Sequence, residues 1–192
     1  MARLAFVLID PFADWEPALL AATAKSDFHD QVRWLTPGGR DVHSMGGMTV
    51  RADGALQDFE PASADALLFI GSPHWETDEN PLFAQAARHA AEAGIVVGGI
   101  CGATLVLARA GLLDTRAHTS NSLQFLRDYG GGYKGVSHYR DVARAVSDGK
   151  VVSASGLAPV SFATEVLKLV HPEAHAPIHE GDAMFAREHQ PA

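Results

Sequence analysis

Residues Ile95–Leu113 read IVVGGICGATLVLARAGLL, and the reading of this stretch decides the fold. It opens on Ile95-Val96-Val97, an apolar, β-branched run of the kind that forms a fully buried strand. Small residues follow through Gly98-Gly99 and Gly102-Ala103, and then a helix-period run of Leu105, Leu107 and Ala108 closes at Gly111. A strand that turns into a helix through small residues holds its turn residue at a strained, exposed apex, a nucleophile elbow. The residue at that apex is Cys101, the only cysteine in the chain. The amides and positive dipole end of the following helix are expected to favour its thiolate, the nucleophilic form.

Working outward, Leu4 to Ile9 and Ala66 to Ile70 are further continuous apolar runs that read as buried parallel strands. Gln31 to Thr36 is another strand, stopped by Pro37-Gly38-Gly39. Helices are predicted from Asp14, as N-cap, to about Ala24, from Pro81 to about Ala93, over Ser122 to Tyr129, and from about Val160 to Val170. Ala117 to Ser120 reads as a short strand. Val42 to Ser44 with Met48 to Arg51, and Asp141 to Val146 with Val151 to Ala154, read as small β-hairpins. Buried strands alternating with helices give an α/β chain: a three-layer α/β/α sandwich, flavodoxin-like, around a mostly parallel sheet. Residues 1–170 form one domain in this reading. Residues 171–192 are polar, Pro-punctuated and aperiodic, and read as a loosely held C-terminal tail.

In such sheets ligands bind beyond the carboxyl ends of the strands. Asp10–Glu16, Gly71–Glu76 and Ile100–Ala103 all follow buried strands, so topology brings them together. A net charge of −8 disfavours a nucleic-acid backbone as the main partner. A single cysteine allows no internal disulfide, which suits a reducing compartment, and no signal or membrane segment is evident at the N-terminus. A cytoplasmic protein with neither nucleic acid nor membrane as partner is expected. The histidines before the C-terminal segment are scattered, the H-x-x-x-H spacings fall only in the Pro-punctuated stretch His171–His179, and no phosphate-cradling glycine motif occurs. Neither a metal nor a cofactor is expected.

ICGATLVLARAGLL, the later HTSN at His118–Asn121 and ASGLAPVSFATEVLKLV at Ala154–Val170 resemble the DJ-1/PfpI family of the class I glutamine-amidotransferase-like superfamily. Asp10 to Ala18, with its D-W-E sequence, and Gly71 to Trp75 extend the resemblance to the bacterial type 1 glutamine-amidotransferase-like subgroup. The resemblance implies that Cys101 is the reactive cysteine and that Glu16 is the carboxyl hydrogen-bonded to it. It implies that the Gly71 and Gly102 N–H groups form an oxyanion pocket. It also implies a homodimer. A carboxyl beside a thiolate should have a raised pKa, since both are not cheaply anionic together.

The chain departs from the family at two places where a base often stands. Gly102 follows the cysteine where many members have histidine, and Asn121 occupies the other histidine position. Strand alternation would send His118 to the opposite face. His74, in the Gly71 loop, is the candidate substitute base, with Asn121 orienting substrate; Trp75 and Trp15 either wall the pocket or pack an interface. His171-Pro172-Glu173 mimics the His–Glu pair of glutamine amidotransferases but follows a helix rather than a strand. Three readings remain. Cys101 serves hydrolase or lyase/hydratase-type chemistry on a small electrophilic molecule; or it is an oxidation-sensing or protective thiol; or the chain is a glutaminase-like subunit.

Overall fold

The computed structural model describes residues 1–187. In chain order its elements are β1 (Arg3–Val7), α1 (Trp15–Ser26), β2 (Gln31–Thr36), β3 (Val42–His43), β4 (Thr49–Val50), β5 (Gly54–Ala55) and β6 (Ala66–Phe69). There follow α2 (Pro81–Glu92), β7 (Val96–Ile100), α3 (Thr104–Arg109), α4 (Leu123–Tyr129), β8 (Val146–Asp148), β9 (Val151–Ala154), α5 (Pro159–Val170) and α6 (His175–Ala186). Seven strands form one sheet in the order β5-β2-β1-β6-β7-β9-β8, and β3 and β4 pair as a separate antiparallel hairpin. Within the large sheet only β8 runs antiparallel to its neighbour.

The apolar strands are continuous because each is buried on both faces, and their period of two divides them between two cores. Ala5, Val7, Leu67, Phe69 and Val97 point to one core, packed on Phe83, Ala87 and Ala90 of α2 and on Leu105 to Ala108 of α3. Leu4, Phe6, Ala66, Leu68 and Val96 point to the other, under Leu20 and Ala24 of α1 and Phe162 and Val166 of α5. This is the three-layer α/β sandwich read from the sequence. Strand order reverses between β1 and β6, so the loops that leave them open the crevice where such folds bind ligands.

Four local expectations need correction. The segment after His171 is not an aperiodic tail throughout, since residues 175–186 form α6. Pro177 lies in the first turn, where a helix needs no N–H, and Ile178 is the residue α6 buries, so no apolar stripe announced the helix. Residues 188–192 of that segment lie outside the described residues. Ala117 to Ser120 is not a ladder strand. It makes a single bridge, His118 with Tyr139, because β8 already closes the sheet beside β9. The second hairpin is shorter than read, pairing 146–148 with β9 and leaving 141–145 as loop. Asp14 sits at the N-cap of α1 but does not cap it; its Oδ2 accepts the Gly46 N–H at 2.7 Å and ties the β3–β4 hairpin to the helix.

Candidate active site

Cys101 directly follows β7 with φ 58°, a left-handed conformation that an L-residue enters at a cost of about 1–3 kcal/mol. A short 3₁₀ turn over Cys101–Ala103 then runs into α3. The Thr104 hydroxyl, wholly buried, holds the Cys101 carbonyl oxygen at 2.7 Å and lies 2.7 Å from the Ser120 Oγ. That contact couples the elbow to the loop carrying Asn121. The sulfur is half-buried.

Glu16 stands in the first turn of α1 yet is wholly buried, turned inward rather than toward solvent. Its Oε2 accepts the Gly71 N–H at 2.7 Å. Its Oε1 is sealed from solvent, with no N–H or O–H partner. A Cβ placed on Gly156 would meet Cys101 Sγ at 2.8 Å and Glu16 Oε1 at 3.4 Å, which puts that oxygen on the sulfur's side. Asn121 donates Nδ2–H to Sγ at 3.5 Å and accepts the Gly156 N–H on Oδ1 at 3.0 Å.

Burial pushes Glu16 up to about 7, against the opposing pull of the Gly71 N–H and the Cys101 thiol. Burial also pushes the Cys101 thiol up, with the Glu16 charge adding to it; Asn121 and the Gly102 N–H pull the other way. This direction runs against the expectation that the helix amides favour the thiolate, although the Gly102 N–H still pulls that way. The helix behind Cys101 has only six residues, and burial of the sulfur is the largest influence on it, ahead of the pull of Asn121 and the Gly102 N–H. The two groups titrate as a pair that keeps a proton to neutral pH.

The raised carboxyl fixes a sign. Folding stability due to Glu16 is fully present below its ordinary value of 4.5 and is lost as pH rises toward 7, because the native carboxyl resists ionising. Glu16→Gln, which keeps an acceptor for the Gly71 N–H, is expected to exceed the parent in stability by up to about 3 kcal/mol at pH 8. The two should converge below pH 4.5, as measured by urea unfolding across pH.

The other predicted residues divide. Gly71 is at the site, but its N–H is given to Glu16 and does not stand open as an oxyanion donor. The Gly102 N–H faces the sulfur of its own elbow. Gly102 leaves no room for the histidine that the resemblance would put there: a Cβ would lie 2.7 Å from the Ser72 carbonyl oxygen and 3.3 Å from Trp75. His74 is not brought to the sulfur; its Nδ1 lies 2.7 Å from the Asp10 carbonyl oxygen. Trp75 does not wall the cleft at Asn121; it borders a separate cavity with Phe83, Arg88 and Arg109. It is fully buried, donates to the Ile70 carbonyl at 2.7 Å and packs edge-on to Phe83. His118 is buried against Tyr133, its Nε2 lying 2.6 Å from the phenol oxygen. His171 pairs with Asp30 at 2.6 Å at the far end of α5, about 18 Å along that helix.

Sequence reasoning left Trp15 unresolved and passed over Gly156. The Trp15 indole, about half exposed, donates to the Gly156 carbonyl at 3.1 Å and so stands at the mouth of the site. Gly156 binds both Trp15 and Asn121 through its backbone, a role no side-chain pattern announces. Among the described residues, no group of three or more His, Cys, Asp or Glu is placed to hold a metal ion, and no helix is long and apolar enough to cross a membrane.

The sequence model of the family described as DJ-1/PfpI matches residues 2–169. The chain is 34% identical over 163 residues to a Bacillus subtilis protein named uncharacterized protease YoaZ, covering 81% of this chain and 77% of that one. It is 32% identical over 172 residues to uncharacterized protease YdeA of the same organism, covering 88% and 84%. Among solved structures, the DJ-1 superfamily protein Atu0886 from Agrobacterium tumefaciens superposes with a TM-score of 0.89 at 42% identity, over 99% of this chain and 100% of that one.

Proposed function

We propose, from the premise that the chain belongs to the DJ-1/PfpI family, that Cys101 is the nucleophile of a hydrolase or lyase/hydratase-type enzyme acting on a small electrophilic molecule. The observation that carries this reading is the buried Glu16 carboxyl, pushed up to about 7, with one oxygen free of any N–H or O–H partner on the side of a strained elbow cysteine. A carboxyl tuned close to neutral both takes and returns a proton at working pH. In the reaction, a bond forms from Sγ to the electrophilic carbon. An electron pair of that carbon moves to its heteroatom, and the thiol proton passes to Glu16. Asn121 steadies the sulfur. The protease names of the Bacillus relatives fit acyl transfer within this class. A homodimer in the cytoplasm belongs to the same proposal: the family resemblance supports the first, and a lone unpaired thiol suits the second.

Covalent capture tests it. The rate of iodoacetamide addition at Cys101, followed by intact mass against pH, is expected to rise in two steps, one of them near pH 7 from the carboxyl. Glu16→Gln should leave a single step. Identical profiles for the two proteins would overturn the pairing, and an unlabelled Cys101 would overturn the nucleophile.

One observation favours a second reading. No imidazole reaches Cys101 among the described residues, so the base usual in cysteine hydrolases is missing. A sensing or protective thiol needs none: each peroxide transfers one oxygen to sulfur and leaves as water. Under this reading mild peroxide adds oxygen to Cys101 in the intact protein; an unchanged mass counts against it. The glutaminase reading has no such support, since His171 is committed to Asp30.

A further inference from the structure

Asn121, which touches the reactive sulfur, also lines an open cleft of about 520 Å³ with Ser120, Asp141, Val142, Ser155 and Leu157. Asp141 is the charged member of that lining. It is exposed and enters no ion pair among the described residues. The cations beside it in sequence are turned elsewhere: Arg140 onto the Tyr139 carbonyl oxygen at 3.3 Å, and Arg144 onto Asp182 at 2.8 Å. The ionisable group at the sulfur itself is Glu16, also an acid. Val142 and Leu157 are 47% and 95% exposed, so the same cleft offers apolar contact beside its carboxylate.

We infer that this cleft selects the substrate of Cys101: a small electrophile with an apolar body and an ammonium-like cationic group that Asp141 receives, and not an anionic one. Glu16 Oε1, buried and without an N–H or O–H partner, lies on the sulfur's side, so the acid at the reacting atom and the carboxylate of the cleft have the same sign. A cationic reagent gains from a carboxylate along its path and an anionic reagent loses, so the ratio of their rates reports the selection. The inference rests on the reading of Cys101 as the reactive group.

The test uses methanethiosulfonates on the full chain: the neutral methyl reagent, the cationic trimethylammonioethyl reagent and the anionic sulfonatoethyl reagent. In each case Sγ bonds to the reagent sulfur, methanesulfinate leaves with the electron pair, and the thiol proton goes to buffer. Asp141→Asn removes the charge at an exposed position, and the neutral reagent gives the reference rate for each protein, against which both charged reagents are read. It is expected to lower the cation-to-anion rate ratio by about threefold to tenfold at low salt, with the difference shrinking at high salt. Normal labelling by the neutral reagent with an unchanged ratio in Asp141→Asn would overturn the role of Asp141 and leave Cys101 as nucleophile. No labelling by the neutral reagent would overturn both.

Discussion

Gly71→Ala is expected to slow the alkylation of Cys101 by about hundredfold or more, with Cys101→Ala as the zero-rate baseline. The reason is space, not backbone conformation. A Cβ on Gly71 would lie 2.5 and 2.6 Å from the two carboxyl oxygens of Glu16 and 2.8 Å from the Cys101 Cβ. None of those atoms has room to retreat. Glu16 is fully buried, its backbone is held in the first turn of α1, and the cysteine carbon is fixed by the strained elbow. The loop must back away instead. That breaks the 2.7 Å bond from the Gly71 N–H to Glu16 and moves the carboxyl off the sulfur. Overpacking of this kind costs about 1–3 kcal/mol, which a domain with two full cores survives. Circular dichroism should therefore show a folded protein with an unreactive thiol. A rate within about threefold of the parent would mean that the contact of Gly71, Glu16 and Cys101 does not govern the sulfur.

That contact also marks where the sequence stops being readable. The elbow was legible because a buried strand, small residues and a helix-period run are each local signals that agree. The sheet covered on both faces was legible because a continuous apolar run is a local signal too. Which partner a side chain takes was not. Trp15 and Trp75 look alike in sequence, each in a loop after a buried strand, yet one stands half exposed at the mouth and the other is sealed beneath Gly102. His74 sits beside Gly71 in the chain, but its ring is claimed by a carbonyl of the preceding loop. The direction of the thiol's shift depends on how deeply sulfur and carboxyl are buried together, and no motif carries that. Helix α6 escaped because a single buried isoleucine makes no periodic stripe.

The largest loss of stability is expected away from the site, at a contact spanning 141 residues. Asp30, with a wholly buried side chain, accepts the Ala2 N–H on Oδ1 at 2.6 Å, and His171 Nε2 lies 2.6 Å from Oδ2. The His171 ring is stacked on Phe28 at 4.3 Å. One carboxyl thus joins the start of β1 to the end of α5, where α6 departs. Asp30→Ala leaves both buried donors without a partner and is expected to cost about 3–5 kcal/mol. For a chain of this size that is a drop in Tm of about 10 °C or more. Asp30→Asn keeps an acceptor for Ala2 and a polar partner for the ring, and should recover more than half of the loss. Because the pair sits at the end of α5 opposite Cys101, the alkylation rate of Asp30→Ala should match the parent at temperatures where both are folded. Scanning calorimetry and the iodoacetamide rate at 20 °C separate these effects. A Tm within about 2 °C of the parent would show that the β1 and α5 termini are held by apolar packing alone. A lost rate in the folded variant would show instead that this anchor reaches the elbow through α5.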